Sequence, residues 1–155
     1  MLRLLRSWWW KILLGLLALV VVIQFIPYSY DNPKTRDEPK WDSAQTRDLV
    51  VRACAACHSN ETKSLWFEGV APVKWYIANH VKEGRSALNF SEWHTAAGEN
   101  ADEAAETVSD GSMPPSYYTY FGLHSEAKLT PAETKALIDG LNRTIASDPP
   151  KGGGD

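Results

Sequence analysis

Apolar positions are spread unevenly along this chain. From Ile12 to Ile26 they form a nearly unbroken run, I-L-L-G-L-L-A-L-V-V-V-I-Q-F-I, with Trp8, Trp9 and Trp10 before it and Tyr28 and Tyr30 after it. Counted from Trp8 to Tyr28, a helix rising ~1.5 Å per residue reaches roughly 30 Å, the thickness of a bilayer core, with aromatic rings at headgroup level. The pattern predicts one N-terminal transmembrane helix within residues 1–28, with Arg3, Arg6 and Lys11 holding the N-terminus in the cytoplasm. A cleaved signal peptide competes with this reading, but it requires small residues before the cut, and the exit reads Q-F-I-P-Y-S-Y with no A-x-A. A buried core helix would show polar residues every third or fourth position, and the run shows no such period.

Residues 29–41, S-Y-D-N-P-K-T-R-D-E-P-K-W, mix charge with two prolines and have no periodicity, which predicts a semi-extended linker. Beyond it the pattern is helical. Asp42 or Ser43 can cap a first helix through about Ala53, with Leu49, Val50 and Ala53 on one face. Val73, Ile77 and Val81 form an i, i+4 stripe over 73–83, with Gly84 as the expected stop. Residues 102–109 offer a third helix. Thr130-Pro131-Ala132-Glu133 reads as a capping box with proline at the first helical position, followed by Leu137, Ile138, Leu141 and Ile145. That last helix should pack on the first. With no strand pattern and no repeat, the expected class is all-α: a domain over 42–146, then a flexible tail over 147–155.

Charge and cysteine content narrow the functions available. The 155 residues carry a net charge of -3, and three of the sixteen basic residues precede Ile12, where there is no acid. The remainder therefore balances 13 positive against 19 negative charges and is distinctly acidic. A nucleic-acid surface needs clustered Lys and Arg, so nucleic acid is not an expected partner. A basic redox partner is favoured by the field, more in rate of encounter than in affinity. Two cysteines close in sequence exclude a multi-bridge scaffold, and their spacing needs a local explanation.

Cys54-Ala55-Ala56-Cys57-His58 supplies it, because two thiols three positions apart with an imidazole directly after them is the c-type haem attachment arrangement. Thiols on one helical turn can each add to a vinyl group on a haem edge, and the next residue then falls beneath the iron. His58 is the expected axial ligand, and the expected cofactor is one covalently attached haem c. A structural zinc site would need a second close ligand pair, whereas His80, His94 and His124 are scattered singly. A thioredoxin-like pair would need a βαβ setting, and a plain disulfide leaves His58 unexplained. For the opposite face of the iron the candidate is Met113, 55 positions beyond His58 in G-S-M-P-P. Proline after methionine disfavours helix there, and two successive prolines stiffen the loop. His80, His94 or His124 could replace it. Trp66, Trp75, Trp93, Tyr117, Tyr118, Tyr120 and Phe121 are candidates to wall the haem, and Arg85 to meet a propionate.

The stretch from about Asp42 to Ile145 resembles the bacterial haem-binding domain family of small c-type cytochromes. The resemblance rests on C-A-A-C-H-S-N-E-T, on A-P-V-K-W-Y-I-A-N-H-V-K-E-G-R-S-A-L-N-F-S-E-W, and on M-P-P-S-Y followed by H-S-E-A-K-L-T-P-A-E. It implies a cytochrome c-like helical fold, haem linked through Cys54 and Cys57, His58 as axial ligand and Met113 opposite. The function expected is single-electron transfer without bond-making by the protein, not enzymic catalysis. Its place would be the periplasmic or extracytoplasmic side of the inner membrane, with redox proteins or a larger membrane complex as partners. A haem-based gas sensor and a peroxidase-like enzyme are the readings from other classes; the first needs an output module and the second a distal acid/base residue.

Overall fold

Ile23, not Tyr28, is where the N-terminal helix ends. The computed structural model describes residues 2–151, with side chains from Trp8 onward. Helix α1 (Leu2–Ile23) starts and stops earlier than the apolar run. Pro27 lacks an N–H and disfavours helical backbone at Ile26. Gln24 then closes the last turn with its own side chain, Nε2 donating to the Val20 carbonyl at 2.8 Å. Among the described residues no helix is long and apolar enough to cross a membrane.

The remaining α-helices are α2 (Ala44–Ala53), α3 (Ala55–His58), α4 (Val73–Ala87), α5 (Ala104–Ser109) and α6 (Pro131–Ser147). Short 3₁₀ segments cover Trp66–Gly69, Ala96–Glu103, Ser116–Gly122 and Ser125–Ala127. Among the described residues there is no strand, and an isolated parallel bridge pairs Asp37 with Glu92. The domain is all-α as its periodicity requires. Helix α4 runs four residues past its expected end and passes through Gly84, while α5 begins two residues late because 3₁₀ turns precede it.

The chain divides into two compact units that are not linear in sequence: Met1–Tyr30 with Ser64–Asn79, and Asp31–Lys63 with His80–Asp155. In the first, the Gln24 carboxamide bonds both backbone groups of Ala71, its Oε1 accepting at 2.9 Å and its Nε2 donating at 3.2 Å.

In the second unit α6 packs on both α2 and α5. Ser43 caps α2 by accepting the Thr46 N–H at 3.1 Å. Thr130 and Glu133 form the capping box, with the Glu133 N–H to Thr130 Oγ1 at 3.2 Å and the Thr130 N–H to Glu133 Oε2 at 2.8 Å. The core joins Leu49 and Val50 of α2, Val108 of α5, and Leu137 and Leu141 of α6 to Phe90 and Trp93. Each such side chain contributes about 1.5–3 kcal/mol on leaving water. Trp93 is fully buried, stacks on Phe90 with ring centroids 5.9 Å apart, and donates its Nε1–H to the Asp148 carbonyl at 2.8 Å.

Helices α2 and α6 touch where Gly140 faces Thr46: a methyl on Gly140 would overlap Thr46 Oγ1 and lie 2.8 Å from its Cγ2. Thr46 is buried and bonded to Ser43 Oγ at 2.9 Å, so it cannot swing aside cheaply. Alanine would gain about 1 kcal/mol of helix propensity, against about 1–3 kcal/mol for overpacking.

Residues 31–41 are extended, as their composition predicts, but they are held along their length. The Arg36 N–H donates to the Ser91 carbonyl at 3.0 Å, and the Trp93 N–H to the Asp37 carbonyl at 2.9 Å. His94 lies between two carboxylates, Nδ1 to Asp37 Oδ2 at 2.5 Å and Nε2 to Asp148 Oδ1 at 3.1 Å. Asp148 also accepts the Lys40 N–H at 2.8 Å, so the first residue after α6 is 8% exposed rather than part of a loose tail. The end of the expected tail, 152–155, lies outside the described residues.

Two predictions come from this packing. Gly140→Ala should lower the denaturant midpoint of the full chain by the equivalent of ~1–3 kcal/mol, and Thr46→Ala in the same chain should restore most of it. The second concerns His94, whose pKa is raised first by its hydrogen bond to Asp37 and then by Asp148. A raised folded-state value means the bridge is at full strength below the unfolded pKa of about 6.5 and is lost as pH rises through the folded value. Melting temperature should therefore fall as pH rises from about 6.5 through the folded value, and His94→Gln should flatten that fall.

Candidate functional site

The end of α2 builds the site. Cys54 is its C-cap, with φ -124° and its N–H donating to the Val50 carbonyl at 2.8 Å. The Cys54 carbonyl then accepts the N–H of Cys57 at 3.1 Å and of His58 at 3.0 Å, and so folds the four residues of α3 into a tight turn. Neither cysteine is in a disulfide, and both lie on this one turn. Burial pushes the Cys54 thiol up to about 12, and the neighbouring Cys57 adds repulsion between thiolates. A thiol held protonated in this way is a poor nucleophile for disulfide exchange, which weakens the dithiol alternative.

His58 is oriented from outside its own turn. Its Nδ1 lies 3.0 Å from the Leu88 carbonyl, an acceptor only, so Nδ1 carries the proton. Nε2 is left with its lone pair, as a metal ligand requires. Burial lowers the His58 pKa, against the opposing backbone bonds at Leu88 and Gly84, so the ring is neutral at physiological pH. The segment following α4 holds this geometry: the Phe90 N–H donates to the His58 carbonyl at 2.8 Å, and Ser91 Oγ accepts the Asn60 N–H at 3.0 Å. Asn89 Nδ2 donates to Asn60 Oδ1 at 2.9 Å. Asn60, Asn89 and Ser91 are all buried, so these bonds satisfy groups that would otherwise be costly to hide.

Gly84 lets α4 approach the turn. A Cβ there would lie 2.6 Å from the Cys57 carbonyl oxygen and 3.1 Å from Cys57 Cβ, so the residue expected to stop the helix instead clears the passage beside Cys57. Arg85 is committed within the protein. It donates to the carbonyls of Ser59 at 2.8 Å and Asp31 at 2.6 Å and to Asn32 Oδ1 at 2.7 Å, which clips the loop after His58 to residues 31–32.

Met113 lies on the segment that follows α5. Its N–H donates to the Thr107 carbonyl at 2.9 Å, and its side chain, 38% exposed, lines a cleft of about 260 Å³ with Val108, Pro115, Thr119, Ala127 and Leu129. Cys54, Cys57 and His58 share one turn, whereas none of them is among the residues lining this cleft. Of the other histidines, His94 is engaged by Asp37 and Asp148, His124 stacks on Tyr118 at 4.1 Å, and His80 meets Tyr117 edge-on at 6.0 Å. Among the expected haem-wall aromatics, Trp93 belongs to the core, and Trp66 and Phe121 are 86% and 99% exposed.

The haem-binding domain family model matches residues 18–143. The chain belongs to the haem-binding domain family. No curated protein and no solved structure matches it. Haem is thus the group against which the donors of this haem-binding domain are judged, and their chemistry fits: two unbridged thiols, an imidazole with Nε2 available, and a thioether on a proline-stiffened loop. Sequence reasoning found the thiols and the imidazole but missed Leu88, whose contribution is a main-chain carbonyl that any residue type could supply. Gly84 was visible as a glycine and was misread as a stop.

If Gly84 is there for clearance, Gly84→Ala should lower the unfolding midpoint by the equivalent of ~1–3 kcal/mol. Gly69→Ala is the control, since a methyl there meets nothing within 4 Å. Equal midpoints for the two variants would show that α4 does not press on the Cys57 turn.

Proposed function

We propose that this haem-binding domain is a membrane-anchored mono-haem c-type cytochrome that carries single electrons on the periplasmic side of the inner membrane. The observation that carries the reading is the Cys54–His58 turn, with both thiols unbridged and His58 Nε2 left open by the bond from Nδ1 to Leu88. In this reading Cys54 and Cys57 would hold the haem through thioether links to its vinyl groups, an addition that needs no oxidant. His58, already neutral, would ligate the iron through Nε2, and Met113 would supply a thioether as the second ligand. When bound, haem supplies a one-electron ferric/ferrous couple.

The protein's own residues set the working conditions. The Leu88 carbonyl draws on the Nδ1 proton, which makes the imidazole a stronger donor and fixes its ring plane. A thioether from Met113 would favour ferrous iron and so raise the potential of the couple. Anchoring is supported by the apolar run from Ile12 to Ile26 and by the described side chains of α1, most of which are solvent-exposed. Such an anchor restricts the domain to partners at the same membrane, whether single redox proteins or a larger complex. The acidic excess beyond Lys11 suits partners with a basic face.

The full chain, expressed with c-type maturation, should show a covalent, six-coordinate low-spin haem in its optical spectrum that is indifferent to carbon monoxide. Met113→Ala should lower the reduction potential and open the iron to carbon monoxide; an unchanged spectrum and potential would remove Met113 from the ligand set. Rapid carbon monoxide binding by the unaltered protein would point to a gas sensor or a peroxidase-like enzyme. Absence of covalent haem would overturn the cytochrome reading altogether.

A further inference from the structure

The first unit carries a feature that electron transfer leaves unexplained. Residues 64–79 are strapped to the segment that follows α1: Gln24 holds both backbone groups of Ala71, and Lys74 Nζ reaches the Ile26 carbonyl at 3.4 Å. Tyr28 Oη donates to Asn79 Oδ1 at 3.3 Å, and the Tyr30 and Ser64 hydroxyls are bonded to each other. These ties set residues 64–73 beside the point where α1 ends. At that level the surface is strongly apolar: Trp66 is 86% exposed, Phe25 80%, and Ile26, Val70 and Val73 are exposed as well. Trp66 meets Phe67 edge-on at 5.7 Å, and the one acid of the 3₁₀ turn, Glu68, bends back to accept the Leu65 N–H at 2.6 Å.

We propose that residues 64–73 are a second membrane contact, a loop seated at the headgroup/acyl boundary where the α1 anchor leaves the bilayer. The inference rests on the anchor reading above. Its occupant is the lipid interface because the exposed apolar side chains continue those of α1 instead of forming an isolated patch, and because their chemistry is interfacial. An indole with an apolar body and one N–H, flanked by a lysine, partitions to that boundary. Glu68 is folded back onto the Leu65 N–H at 2.6 Å.

The test uses the full chain in vesicles of phosphatidylcholine with phosphatidylglycerol, carrying a photoactivatable diazirine amino acid at position 66 or at position 17 of α1. Lipid adducts are counted by mass after illumination. If both readings hold, the adduct yield at position 66 falls within about threefold of that at position 17. Lipid adducts at 17 with only background yield at 66, or adducts from 66 to a second copy of the chain, would overturn the loop contact and leave the anchor standing. Background yield at 17 would remove the anchor itself, and the loop proposal with it.

Discussion

The hydrogen bond from His58 Nδ1 to the Leu88 carbonyl is the constraint on which the site depends. An imidazole directly after Cys57 has two nitrogens and several rotamers; one main-chain acceptor 3.0 Å away selects one tautomer and one ring plane. Everything around Leu88 keeps that carbonyl in place. Leu88 donates its own N–H to the Gly84 carbonyl at 2.9 Å, Phe90 bonds the His58 carbonyl, and the Asn89 and Ser91 side chains lock the loop at Asn60. His58 is therefore positioned by a segment 30 residues away in sequence.

Close approach is what makes this possible. Helix α4 comes near enough to the cysteine turn only because Gly84 has no Cβ, and α6 crosses α2 tightly because Gly140 has none opposite Thr46. In both cases the sacrifice in helix propensity, about 1 kcal/mol, is outweighed by packing that a methyl would obstruct. The two contacts act on consecutive elements: α6 holds α2, whose C-terminus presents Cys54, and α4 passes beside Cys57 of α3. A rigid α2 gives the thiols a fixed origin.

The ends of the second unit are closed by charge rather than by apolar burial. His94 bridges Asp37 and Asp148, and Arg143 pairs with Asp42 at 2.7 Å. Exposed pairs of this kind contribute little singly, up to about 1 kcal/mol. Their value here is geometric, since they fix an extended segment that has no helix or strand of its own. Trp93, buried among them, anchors the same junction through its bond to Asp148.

Much was readable in the sequence, and the division follows the range of the forces involved. Local chemistry predicts locally determined things: the Ser43 cap, the Thr130–Glu133 box, the α6 stripe and the C-A-A-C-H turn all depend on residues within a few positions of one another. Helix ends set by competition were misplaced, as at Ile23 and Gly84, because a side-chain cap or a passing neighbour outweighs the local pattern. The sequence by itself determined the helical class, the family and the placing of Cys54, Cys57 and His58 on one turn. Only the tertiary structure decided that Leu88 orients His58, that Arg85 is spent on backbone carbonyls and that residues 31–41 are pinned. Those outcomes depend on main-chain atoms meeting across long separations, and a carbonyl or an N–H leaves no mark on the identity of the residue that carries it.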